Sequence, residues 1–269
     1  MIESEILFTQ VLDCDRVSLY LNKDKSLTSS QAKRISSSLK RRINGEPLQY
    51  ILGKTEFMGF EFKLTPDVLI PRPETEILVE AAIKIVQNSR FSIQNILDIG
   101  TGSGCIAISL AKLLKDVKIT AADISNESLK VAAENAKSNN VVVNFIQSDL
   151  FSSYQLRAKS YELIVSNPPY IPRDQIKSLQ RELKYEPFIA LDGGSDGLES
   201  YRKIIKEAPD YLNHNGILIM EMGFGQRKCI EDIFKGVKSL NIIEVIKDYN
   251  NIDRVIVATK SSINNEYIG

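Results

Sequence analysis

The chain has 269 residues, 43% hydrophobic and 25% charged, which suits one large apolar core and a smaller satellite. Lys+Arg and Asp+Glu balance at 34 each, and this zero formal charge speaks against a dedicated duplex-DNA binder, which is usually basic. Three scattered cysteines (Cys14, Cys105, Cys229) and one histidine (His214) speak against a disulfide framework and a zinc site, and offer little for a His-centred triad or metal chemistry. The opening MIESEILFTQ has neither a basic region nor a long apolar stretch, and no run approaches a membrane span, so a cytoplasmic protein without membrane contact is expected.

Residues 1 to about 45 carry helical spacing without strand alternation. In SLTSSQAKRISSSLKRRING, Ile35, Leu39 and Ile43 recur every four residues, with Ser29 or Ser30 as the expected cap and Gly45 as the stop. The basic residues Lys33, Arg34, Lys40, Arg41 and Arg42 fill the rest of that cylinder. TEFMGFEFKL (55–64) alternates around Gly59 and predicts a β-hairpin. IPRPETE (70–76) opens a helix, with prolines at its entry and Glu74 and Glu76 in its first turn.

From about residue 94 the period switches to alternating strand and helix. NILDIG, VKITAADI, VVNFIQSDL, YELIVSN and ILIMEMG read as strands; GCIAISLAKLL, NESLKVAAENAKSNN, SYRKIIKEAPDYLNHNG (with its stop) and GQRKCIEDIFKG read as helices. IIEVIKDYN and DRVIVATK, separated only by NNI, close the chain as an antiparallel pair. The fold class is therefore α/β: a doubly wound, mostly parallel sheet with an antiparallel edge hairpin, plus a small helical N-terminal domain.

The loop LDIGTGSG sits where a doubly wound fold places a cofactor loop, between the first strand and the first crossover helix. Gly100, Gly102 and Gly104, with Thr101 and Ser103 between them, allow a tight turn and close approach to a ligand. The pattern is GxGxG, with Cys105 where the dinucleotide fingerprint requires its third glycine. Asp123 ends the second strand and suits a pair of ribose hydroxyls. Asp149 ends the third strand, where it suits an adenine amine, with Leu150 or Phe151 for the ring face. Any one of these acids alone reads as a helix cap or a solvated loop residue. Together, at the carboxyl edge of successive strands, they point to a bound adenosine.

The fourth strand runs into Asn167-Pro168-Pro169-Tyr170, at the same edge. Two prolines fix two φ angles and remove two backbone donors, so the corner is rigid. A planar amide or exocyclic amine is a poor nucleophile because its lone pair is delocalised. Two acceptors on its N–H protons, the Asn167 side-chain oxygen and the Pro168 carbonyl, draw the nitrogen toward sp3 and aim the lone pair at an electrophilic methyl group. Such acceptors must be preorganised. Tyr170 packs on the acceptor's flat face, and Pro169 completes the wall.

GEPLQYILG (45–53), LIPRPETE (69–76), DIGTGSG, VSNPPYI and LDGGSDGLESYRKI (191–204) together resemble the protein-(glutamine-N5) methyltransferases specific for release factors, the HemK/PrmC family of class I S-adenosylmethionine-dependent enzymes. NPPY alone is shared with other amino-methyltransferases, whereas IPRPETE upstream of the glycine loop is more specific. Where members often carry tryptophan, this chain has Leu150. The resemblance implies S-adenosyl-L-methionine as cofactor and the glutamine of the Gly-Gly-Gln motif of peptide chain release factors as substrate. It implies a helical recognition domain over 1–50, a β-hairpin linker over 51–73 and a catalytic domain over 74–269. It places Arg72 and Glu74 beside the crevice; a helix-start salt bridge is the alternative for both. Of the rival readings, an rRNA or DNA-adenine amino-methyltransferase is opposed by the zero net charge and by a tail that the sheet itself needs. An NAD-dependent enzyme is opposed by GxGxG and the intact NPPY.

Overall fold

The structure, a computed structural model, describes residues 2–157 and 160–261. Its N-terminal helices are α1 (Glu3–Leu12), α2 (Arg16–Leu21), α3 (Ser29–Ile43) and α4 (Leu48–Leu52). Thr28, not Ser29 or Ser30, caps α3: its hydroxyl accepts from the Gln31 backbone N–H while the Gln31 side chain accepts from the Thr28 N–H. Leu7, Val11, Ile35 and Leu48 form the small core here. Of the expected apolar row only Ile35 is buried; Leu39 is 37% exposed and Ile43 76%. The basic face is also less free than its sequence suggests. Arg41 pairs with Glu46 at 2.5 Å, and Arg42 reaches Glu3 at 2.8 Å and Glu182 at 2.5 Å.

Strands β1 (Lys54–Phe57) and β2 (Phe60–Lys63) form the expected antiparallel hairpin. The segment read as a linker is anchored to the larger unit: Phe57 and Phe62 are buried in its core, in an edge-to-face pair at 6.1 Å. Beyond the hairpin come α5 (Pro73–Asn88), β3 (Asn95–Ile99), α6 (Cys105–Leu113), β4 (Lys118–Asp123), α7 (Asn126–Ser138), β5 (Asn144–Gln147), α8 (Tyr154–Arg157) and β6 (Tyr161–Ser166). Then follow α9 (Phe188–Leu191), α10 (Glu199–Tyr211), β7 (Leu212–Glu221), α11 (Arg227–Lys235), β8 (Leu240–Lys247) and β9 (Asp253–Lys260). The Asn135 side chain ties hairpin to sheet, accepting from the Lys63 N–H at 2.7 Å and donating to the Lys63 carbonyl at 3.0 Å.

Seven strands run in the order β5-β4-β3-β6-β7-β9-β8, parallel except where β9 pairs with β7 and β8. Side-chain alternation sends Ile96, Leu163 and Val165 into the core shared with α5 and α6. Leu97, Ile99 and Ile164 enter the opposite core under α10 and α11. One expected boundary shifts: α10 ends at Tyr211, and LNHNG belongs to β7, because Leu212 pairs with Tyr161 across a bulge in the β6–β7 register. From β3 the chain winds outward through β4 to β5, then crosses to β6 on the other side. The crevice between the carboxyl ends of β3 and β6 is thus the topological switch point, where doubly wound sheets bind ligands.

Candidate active site

The glycine loop follows β3 at that switch point. The Gly100 and Thr101 N–H groups both donate to the Ala122 carbonyl, at 2.8 and 3.0 Å, folding the loop back over β4. Gly100 and Gly102 adopt φ of 74° and 53°, and a Cβ built on either would meet nothing within 4 Å. Their open side faces the cavity that both residues line. Gly104, at φ 82°, starts α6 so close to Ala132 and Ile108 that a side chain there would collide with them. Thr101 and Ser103 are buried and turned inward, Thr101 donating to Asp98 at 2.6 Å. Asp98 is fully buried, and burial pushes its carboxyl up to about 7. Thr101, Ser103 and Gly104 therefore shape the loop, while Gly100 and Gly102 face the cavity.

Asp123 lies across from that loop and lines the same cavity. One of its oxygens accepts from the Gly102 N–H at 2.8 Å and the other from the Ser125 N–H at 2.9 Å. Burial raises its pKa, and those backbone donors pull it back. The carboxylate keeps lone pairs for a ligand hydroxyl while it fixes the loop. Asp123→Ala is expected to weaken S-adenosylmethionine binding by about 1.5–3 kcal/mol, the worth of hydrogen bonds to a charged group. Titration calorimetry checks this, and unchanged affinity removes Asp123 from the site.

Asp149 and Leu150 line the same cavity from the end of β5. Leu150 is held at φ 49°, a left-handed conformation that costs a non-glycine residue about 1–2 kcal/mol. The Ser148 hydroxyl secures it by donating to the Leu150 carbonyl at 2.7 Å.

The Asn-Pro-Pro-Tyr corner leaves β6 next to Ile99, whose carbonyl accepts from the Ser166 hydroxyl at 2.8 Å. It separates two cavities. The larger, about 270 Å³, is lined by Gly100, Gly102, Asp123, Asp149, Leu150, Asn167 and Pro169, among others. The smaller, about 190 Å³, is lined by Arg72, Asn167, Pro168, Tyr170 and Leu183, among others. Asn167 lines both. Burial pushes the Tyr170 phenol up to about 12, so it is a neutral wall and not a base. Arg72 pairs with Glu186 at 2.5 Å, and Glu186 also accepts from the Ile70 N–H. This ion pair staples the approach to α5 onto the segment that roofs the smaller cavity. Glu76 accepts from the Met58 N–H at 2.6 Å and ties the helix start to the hairpin.

Several residues that support the corner carry no chemical signature. In LDGGSDGLESYRKI, Gly193 approaches the Tyr170 backbone so closely that a Cβ would sit 2.8 Å from it; Gly197, at φ 75°, abuts the Tyr170 carbonyl. That carbonyl accepts from the Gln226 side chain at 2.9 Å, and the Ile171 N–H and C=O bond to Leu191 and Gly193. The cluster of glycines was the available sequence signal; its target, Tyr170, was not readable. Gly197→Ala is expected to displace Tyr170 and lower kcat/KM by at least about tenfold, since left-handed strain and a backbone clash act together. Wild-type kcat/KM in this variant would mean that the loop does not set the Tyr170 position.

The Methyltransferase small domain family matches residues 74–183, and the PrmC N-terminal domain family matches residues 1–53. A release factor glutamine methyltransferase of Thermodesulfovibrio yellowstonii is 42% identical over 264 residues, spanning 96% of this chain and 92% of its own. One of Geobacter sulfurreducens is 42% identical over 256 residues, spanning 95% and 88%. Among solved structures, a methyltransferase from Pyrococcus furiosus superposes with a TM-score of 0.56 at 18% identity, covering 87% of this chain and all of its own. The hMettl16 catalytic domain, solved with an RNA hairpin, gives 0.58 at 15%, covering 87% and 81%. At such identities these two show the shared fold alone.

Proposed function

This chain belongs to the release factor glutamine methyltransferase family, and from that premise we propose that its Asn-Pro-Pro-Tyr corner methylates the side-chain amide nitrogen (N5) of the glutamine in the Gly-Gly-Gln motif of a peptide chain release factor. The observation that carries this assignment of residues is the position of Asn167, on the wall common to both cavities. One side presents a glycine loop and three carboxyl-edge residues suited to an adenosine. The other is a small pocket lined by Arg72, Asn167, Tyr170 and apolar side chains, suited to one side chain.

The residues of the larger cavity fit S-adenosyl-L-methionine. The open Cβ positions of Gly100 and Gly102 leave room for a ligand against bare backbone, Asp123 offers a fixed carboxylate, and Leu150 and Pro169 offer apolar faces. When bound, that cofactor supplies an electrophilic methyl group on a sulfonium sulfur. The chain's own part is acceptor chemistry. The Asn167 Oδ1 and the Pro168 carbonyl accept hydrogen bonds from the two N–H groups of the glutamine amide, localising its lone pair. Pro168, Pro169 and the Tyr170 ring hold the amide flat against them. After transfer the nitrogen loses one proton, so no strong base is required.

The hairpin and residues 74–269 form the catalytic unit, and residues 1–50 recognise the protein substrate. The exposed Leu39 and Ile43, with Lys33, Arg34 and Lys40 on the same helix, support a docking role for α3. Among the described residues no helix is long and apolar enough to cross a membrane. We place the reaction in the cytoplasm, where release factors act and where free cysteines such as Cys229 stay reduced. Incubation with methyl-labelled cofactor and either purified release factor or rRNA separates the assigned substrate from a nucleic acid. Label is expected in the protein alone; label in the RNA would reverse the assignment.

A further inference from the structure

A buried polar chain runs away from the site behind Asn167. The Asn167 Nδ2 donates to Thr75 Oγ1 at 3.0 Å, and Thr75 Oγ1 donates to Glu221 Oε2 at 2.6 Å. Thr75 is 2% exposed and Glu221 1%, and neither lines either cavity. The three residues come from separate elements: the first turn of α5, the end of β7 and the corner after β6. We propose that Thr75 and Glu221 are positioning residues that dictate which end of the Asn167 amide faces the acceptor nitrogen. The inference rests on the reading of Asn167 Oδ1 as a proton acceptor in the transfer.

An asparagine amide has nearly the same shape when its oxygen and nitrogen exchange places, so packing alone does not choose between the two. Hydrogen-bond direction does. An ionised carboxylate only accepts, and a threonine hydroxyl has a single proton. With that proton given to Glu221, Thr75 Oγ1 can only accept from Asn167, which must therefore present its NH2. The Asn167 Oδ1 is left facing the junction of the two cavities. A flipped amide would claim the Thr75 proton and leave a buried carboxylate oxygen without its donor, which disfavours the flipped form. Glu221 is set for this role. Burial raises its carboxyl to about 7 and the nearby Glu74 charge adds to this, while Thr75, Arg254 and Asn167 favour the ionised form; Tyr201 donates to its backbone carbonyl at 2.9 Å. Above that pH the carboxylate is the fixed terminus from which the direction of the whole chain follows.

The test is a double-mutant cycle run on the alkaline side of the Glu221 titration. Thr75→Val keeps the shape and removes the hydroxyl. It is expected to lower kcat about tenfold, roughly the loss of one hydrogen bond, with cofactor affinity and the KM for release factor unchanged. Thr75→Ser restores most of the rate. Combined with Asn167→Ala, Thr75→Val adds no further loss, because it acts only through Asn167. Glu221→Gln, which can donate as well as accept, opens both directions of the chain and lowers kcat several-fold. It carries the same cycle should Thr75→Val fail to fold. An unchanged kcat in Thr75→Val, or an equal loss in both backgrounds, overturns the proposal while leaving Asn167 in place. Wild-type turnover in Asn167→Ala itself overturns the reading of Asn167, and this inference with it.

Discussion

Asn167→Ala is expected to lower the rate of glutamine methylation by about 10²–10³, comparable to the loss of one preorganised oxyanion-hole donor. The substitution leaves the Pro168 carbonyl as the remaining acceptor. The nitrogen lone pair then stays delocalised into the amide, and the barrier rises at the chemical step. The fold tolerates the change, because Thr75 still donates to Glu221 and no buried carboxylate is stranded. Cofactor affinity holds, since Gly100, Gly102, Asp123, Asp149 and Leu150 are untouched. Single-turnover kinetics at saturating release factor, beside a cofactor titration, measure both. A rate near wild type would remove Asn167 from the chemistry.

A chain beginning at Glu46 loses α1, α2 and α3 and is expected to bind cofactor normally while its KM for release factor rises by at least about tenfold, or about 1.4 kcal/mol. The cut belongs at this position and not after the hairpin. Phe57 and Phe62 fill the main core, and Tyr50 packs with Leu64, Val68, Ile70 and Val131 while donating to the Val68 carbonyl at 2.6 Å. A cut near residue 70 would remove those side chains and confound recognition with folding. The effect falls on KM because the small pocket grips one side chain. A stable protein interface buries about 1,200–2,000 Å², and the remainder must come from elsewhere on the enzyme. Unchanged kcat/KM on intact release factor would show that residues 1–45 do not recognise it.

The crossover sheet was readable because each strand is a short apolar run and each crossover helix carries its own period and stop. The glycine loop, Asp123 and Asn-Pro-Pro-Tyr were readable because their chemistry needs those residue types at strand ends. Other features depend on distances that only the fold creates. Thr75 and Asn167 lie 92 positions apart, and Thr75 and Glu221 lie 146 apart, so the chain that orients the amide leaves no local pattern. Glu221 carries no signal of its role in ILIMEMG, yet α5 and α10 pack on that strand and its carboxyl is buried. Ile43 misled in the opposite direction: its period matched a buried face, yet its side chain is 76% exposed. Arg41 and Arg42 read as a free basic patch, and only their acidic partners, Glu3 and Glu182 among them, show that two of its charges are engaged.

The most direct test of the corner's role is tandem mass spectrometry of a purified release factor after incubation with S-adenosyl-L-methionine and either the wild-type enzyme or Asn167→Ala. A single added methyl group on the side-chain nitrogen of the Gly-Gly-Gln glutamine, rapid with the wild type and nearly absent with Asn167→Ala, is the expected result. A glutamine left unmodified by the wild-type enzyme, or a methyl group found on another residue, would contradict it.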